Sequence, residues 1–107
     1  SLEINPKTVP ALSGLAWIKA TSKEKRLRDG KGAVELAEFL MQSPGADNNP
    51  ELIKVLAAAH AEAGSYEKSI MAAQRALKIA RDHGTVFSVE QIEVLLLAIE
   101  EKKPFRN

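Results

Sequence analysis

A chain of 107 residues makes at most one ordinary domain, yet it can bury roughly 60–70% of the surface that its unfolded form exposes. Its 45% hydrophobic and 27% charged residues are those of a globular protein, and a net charge of +1 gives no bulk reason to bind nucleic acid or a membrane surface. The absence of cysteine excludes a disulfide framework and a thiolate-held metal, and no apolar run approaches the ~20 residues of a membrane span.

Helical periodicity runs through the chain, and β-branched alternation is scarce. No basic segment followed by an apolar block opens it, so no signal peptide is expected and a cytoplasmic location is favoured. It begins at Ser1 rather than Met, so the expectation is a piece trimmed from a longer protein, with room for a signal or anchor upstream. The first predicted helix starts at Val9–Pro10 and runs to about Thr21, with Leu12, Leu15, Ala16 and Trp17 near helical spacing. "TSKEKRLRDGKG" is polar; Gly30 and Gly32 break helix there, and Asp29 suits a cap. The second predicted helix covers about Lys31 to Gln42, with Ala33, Val34, Leu36, Ala37, Leu40 and Met41 as its apolar stripe.

"SPGADNNP" reads as a loop. Asn49 caps a third helix with Pro50 at its first position, where a missing N–H costs nothing. That helix runs to Ala63, and Gly64 suits a left-handed C-terminal cap. The fourth predicted helix spans about Tyr66 to His83 and ends at Gly84. Ser88 followed by Gln91 has the spacing of a capping box. It opens a fifth helix, Val89 to about Glu101, which carries Ile92, Leu95, Leu96 and Ile99 and ends at Pro104.

The stretch "LAAAHAEAGSY" (56–66) packs small residues before a glycine and one aromatic. So short a connection forces the third and fourth helices antiparallel and adjacent. Ala57, Ala59 and Ala61 allow close backbone approach, and Tyr66 covers the open end. One such pair cannot bury both faces and needs neighbours stacked on it.

Internal repetition supplies them. "PALSGLAWIKAT" and "PELIKVLAAAHAEAG" both begin with proline and go on to a leucine followed by a small residue, Leu15-Ala16 answering Leu56-Ala57. "GAVELAEFLMQ" and "KSIMAAQRALKI" match at Ala33, Ala37 and Leu40 against Ser69, Ala73 and Ala76. The offset is 41 residues in the first helices and 36 in the second, so about five extra residues sit in the "TSKEKRLRDG" loop.

This register resembles the tetratricopeptide repeat, a helix–turn–helix unit of about 34 residues. The unit 50–83 is most similar: Ile53, Leu56, Ala57 and His60 fall on the first-helix signature, and Gly64, Tyr66, Ala76 and Leu77 continue it. It departs from the pattern at His60, where tyrosine is usual, at Ser69, where alanine is usual, and at Arg81, where the closing proline is usual. "LEINP", with Leu2, Ile4 and Pro6, is similar to the end of a preceding repeat. "SVEQIEVLLLAIEEKKPFRN" looks like the helix that closes such an array. "LAW", "RDG" and "AVELAE" look most like bacterial members. The resemblance implies an all-α, right-handed superhelix of antiparallel helix pairs over 1–107. Its parts would be a remnant (1–8), a repeat with the loop insertion (9–49), a second repeat (50–83), and a capping helix and tail (84–107).

Catalytic readings are weak. His60 lies among alanines and reads as a packing residue, and His83 reads as a cation suited to a helix C-terminus. No helix offers Glu-x-x-His or His-x-x-x-His, so no metal or other cofactor is expected. "RDGKG" lacks the length and preceding strand of a phosphate loop. The bases Lys19, Lys23, Lys25, Arg26, Arg28 and Lys31 are broken by Glu24 and Asp29 and have no interleaved aromatics, so a solvated loop is favoured over a nucleic-acid site. Ser43, Ser65, Ser69 and Ser88 have loop, cap or packing roles, and no enzymatic activity is expected.

The resemblance implies a concave groove lined by each unit's first helix, a protein–protein interaction scaffold for a peptide or a partner domain. By register it would present Ser13, Trp17 and Ala20 from the first helix, and Lys54, Ala58 and Glu62 from the third. Trp17 is either an anchor for the ligand or a residue packed beneath the insertion. Some relatives grip a terminal carboxylate with Lys and Asn; Ser13, Trp17 and Ala58 occupy the matching places, so that clamp is not expected. The alternative function is a structural end cap, a self-association module acting through the N-terminal face, or an accessory module of a multidomain enzyme.

Overall fold

The computed structural model describes residues 7–83, 86–103 and 106. Among these are five α-helices and no strand: α1 (Val9–Thr21), α2 (Gly30–Leu40), α3 (Pro50–Glu62), α4 (Tyr66–His83) and α5 (Val86–Glu100). The proposed remnant residues Leu2, Ile4 and Pro6, and Gly84 and Pro104 as terminators, lie outside the described residues.

Local chemistry sets most helix ends. The Asn49 side chain accepts from the amides of Glu51 and Leu52, satisfying donors that the first turn leaves free, with Pro50 following. Asp29 accepts from Gly32 at the start of α2. The α3 terminus closes with two bonds, Ser65 N–H to His60 C=O at 2.8 Å and Gly64 N–H to Ala61 C=O at 3.1 Å. That pattern needs a left-handed residue, and Gly64 has φ +86°. The chain then turns directly into α4.

Three expectations are corrected. Gly30 and Gly32 do not break the helix: α2 starts at Gly30. The Asp29 cap starts the helix there, and close packing suits glycine to the position, since a Cβ on Gly30 would lie 3.0 Å from Ala63 N and from Glu62 C. A side chain at the helix N-terminus would thus crowd the end of α3. α5 begins at Val86 rather than Val89, so Ser88 lies inside the helix rather than ahead of it. Both polar connections also hold a turn of 3₁₀ helix, at Lys25–Leu27 and Ala46–Asn48.

α3 is the hub. It packs against α1, α2, α4 and α5, while α1 also packs on α2 and α4 on α5. Hence eight of its 13 residues are buried, including Ala57, Ala58, Ala59 and Ala61. Side chains this small let four neighbours approach one helix, and the core around it is correspondingly alanine-rich: Ala16, Ala20, Ala33, Ala37 and Ala73 join the α3 alanines, with Leu95 and Ile99 from α5. A second cluster, Ile53, Ala76, Leu77, Ala80 and Ile92, ties α3 to α4 and α5. Ser69 replaces one of these alanines at no cost in unpaired polarity, because its buried hydroxyl donates to the Ala57 carbonyl. The helix starts keep the two offsets of the sequence, 41 residues from Val9 to Pro50 and 36 from Gly30 to Tyr66.

Candidate functional site

α1, α3 and α5 flank a groove of about 740 Å³. Val9, Pro10 and Trp17 form its α1 wall, Leu52 and Val55 rise from α3, and Val94 closes the α5 side. A concave, mainly apolar surface with a few convergent polar groups is the usual form of a binding site.

The polar centre is Lys54. Its residue is only 6% exposed, and a buried ammonium must find partners for its charge and its donors. It donates to Gln91 Oε1 at 2.9 Å, pairs with Glu51 Oε2 at 3.0 Å, and lies 4.8 Å from the centroid of the Trp17 ring. These partners come from α5, from α3 one turn back and from α1. One ammonium therefore cross-links all three helices of the groove and holds the indole by cation–π attraction. Glu90 adds a second carboxylate to the lining.

The six groove residues expected from the sequence divide evenly. Ser13, Trp17 and Lys54 line the groove together. Trp17 stands in its wall, half-buried against the alanine core. Ala20 and Ala58 are corrected to core residues: each is 1% exposed, and both belong to the alanine-rich cluster that the helices close around α3. Glu62 lies outside the groove lining and pairs with Arg106 at 2.7 Å.

Sequence reasoning missed the α5 contribution, Glu90, Gln91 and Val94, and Glu51 on α3. Glu51 and Lys54 had a legible signal, since residues three apart share a helix face. Gln91 was hidden by its capping-box spacing; its amide oxygen is a ligand for an ammonium 37 residues away.

The remaining chemistry-bearing groups are dispersed. His60, between Glu38 and Lys68, is held below the ordinary imidazole pKa mainly by burial; Glu38 opposes the shift and Lys68 adds to it. The insertion is tied back to α1 by the Asp29 N–H bond to Lys19 C=O at 2.8 Å, and Arg26 pairs within it to Glu24 at 3.0 Å. Among the described residues no three His, Asp or Glu side chains group as metal ligands, and no helix is long and apolar enough to cross a membrane. No family model, curated protein or solved structure matches this chain.

Proposed function

We propose that this chain is a protein-interaction module of the tetratricopeptide-repeat type. It is read as a right-handed superhelix of two helix pairs closed by α5, from a bacterial protein, and it holds a peptide segment of a partner in the α1–α3–α5 groove. The observation that carries the reading is the groove itself: apolar walls from three helices around an ammonium whose partners already fix it. Preorganisation of this kind lowers the ordering cost of binding. The serial packing and the kept 41- and 36-residue offsets support the repeat assignment. No catalytic step, cofactor or nucleic-acid contact is assigned to it.

The chain has one tryptophan, and it stands in the groove wall. Peptides selected from a displayed random library can therefore be titrated by intrinsic fluorescence. Selected peptides are expected to change Trp17 emission, and Ser13→Arg, which fills the groove, is expected to weaken them about tenfold or more, ~1.4 kcal/mol. Peptides that bind Ser13→Arg equally well and leave Trp17 emission unchanged would rule the groove out. The alternative role, in association or as an end piece of an array, is favoured by a separate observation, the exposed apolar side chains Leu15 and Ile18 of α1 and Val86 and Leu97 of α5.

A further inference from the structure

We propose that copies of this chain join head to tail, the outer face of α5 in one copy docking on the outer face of α1 in the next. The inference does not depend on the groove's role. On α1, Ala11, Leu15 and Ile18 recur along one face at helical spacing. Leu15 and Ile18 are 45% and 46% exposed, and Leu27 of the adjoining 3₁₀ turn is 45% exposed. On α5, Val86 and Leu97 lie about three turns apart on one face, and they are 75% and 66% exposed. Val94 stands at its edge, where the face meets the groove rim. A surface helix normally turns polar side chains to water. On α1 these apolar side chains adjoin one another, whereas on α5 Glu90 and Glu93 share the exposed stripe with Val86 and Leu97.

Charge decides which faces meet. The segment Lys19–Lys31, beside the α1 face, holds six bases; Lys19 pairs with Asp29 at 3.8 Å and Arg26 with Glu24 at 3.0 Å, which leaves an excess of positive charge. α5 carries Glu90, Glu93 and Glu100 and no base, and of these acids Glu93 pairs with Arg81 of α4 at 3.8 Å. Lys102 and Lys103 follow only at its C-terminal end, where Lys103 pairs with Glu101 at 3.7 Å. Two α1 faces would set base against base, and two α5 faces acid against acid. Only α5 on α1 brings opposite signs together beside exposed apolar side chains. Such a contact is heterologous: every complex keeps a free α1 at one end and a free α5 at the other, so it grows until a ring closes.

Light scattering and sedimentation over a range of concentration test this. The average mass of the wild type is expected to rise with concentration and to fall as salt is added. Leu15→Asp spoils the α1 face, and Leu97→Asp the α5 face; each variant alone is expected to stay monomeric with wild-type helix content. Mixed in equal amounts they are expected to form a complex of two copies that grows no further, through the intact α5 of the first and the intact α1 of the second. Ile18→Asp with Val86→Asp repeats the experiment at independent positions, in case one variant folds poorly. A wild type monomeric at every concentration would overturn the proposal. So would a mixture no heavier than its parts, or a single variant that still dimerises.

Discussion

One substitution, glycine to alanine, is expected to have opposite effects at two helical positions. At Gly30 a new methyl would meet Ala63 N and Glu62 C at 3.0 Å and Ala63 Cα at 3.1 Å. All three are backbone atoms, which cannot swing aside, and carbon contacts relax only near 3.5–4.0 Å. The start of α2 must therefore move off α3 by roughly 0.5 Å, loosening the fit of Ala33 and Ala37. Overpacking of this kind costs about 1–3 kcal/mol. Alanine's helix propensity returns at most ~1 kcal/mol, and less in a first turn, so a net loss of about 1–2 kcal/mol is expected. At Gly14, in the middle of α1, nothing lies within 4 Å of the added methyl. Only the propensity gain remains, about 0.5–1 kcal/mol. Thermal unfolding followed by far-UV circular dichroism separates the two, at roughly 4 °C or more per kcal/mol for a domain of this size. Gly30→Ala should melt well below the wild type and Gly14→Ala slightly above it. A Gly30→Ala protein as stable as the wild type would mean that α2 does not approach α3 so closely. A destabilised Gly14→Ala would mean that something covers that side of α1.

Three other expectations follow from particular contacts. Lys54→Met keeps the buried stem and removes the charge. Its partners Glu51 and Gln91 remain exposed to water, so the melting temperature should move by no more than ~1 kcal/mol equivalent, while Trp17 emission shifts as the ammonium leaves the ring. A large loss of stability with unchanged emission would remove Lys54 from the groove network. Ala57→Trp should lose about 3 kcal/mol or more by overpacking the fully buried heart of α3, and an unchanged melt would mean that this face is open. His60 is held neutral by burial, so the unfolded chain binds its proton more readily. The associated stability is complete above the unfolded imidazole value of about 6.5 and is lost as pH falls through it towards the lower folded value. The wild type should melt lower at about pH 5.5 than at about pH 7.5, and His60→Gln should flatten that dependence; parallel profiles would contradict the desolvation of His60.

What the sequence determined by itself was what neighbours along the chain can settle. Asn49 before Pro50, the left-handed turn at Gly64 and the Asp29 cap act within one helical turn, so α3, the α3–α4 hairpin and the start of α2 were legible to within a residue or two. The small residues at Ala57, Ala59 and Ala61 likewise announced a tightly packed helix. Who packs on whom was decided only by the tertiary structure. Exposure at one position depends on which distant segment covers it, and helical register cannot say that. Ala20 and Ala58 were therefore placed on an open surface, whereas packing among the helices buries both in the core. Gln91 was read as a local cap while its oxygen served Lys54 on another helix. Gly30, a breaker by local propensity, begins a helix that Asp29 caps, at a point where the backbone at the end of α3 comes within 3.0 Å of where a Cβ would lie.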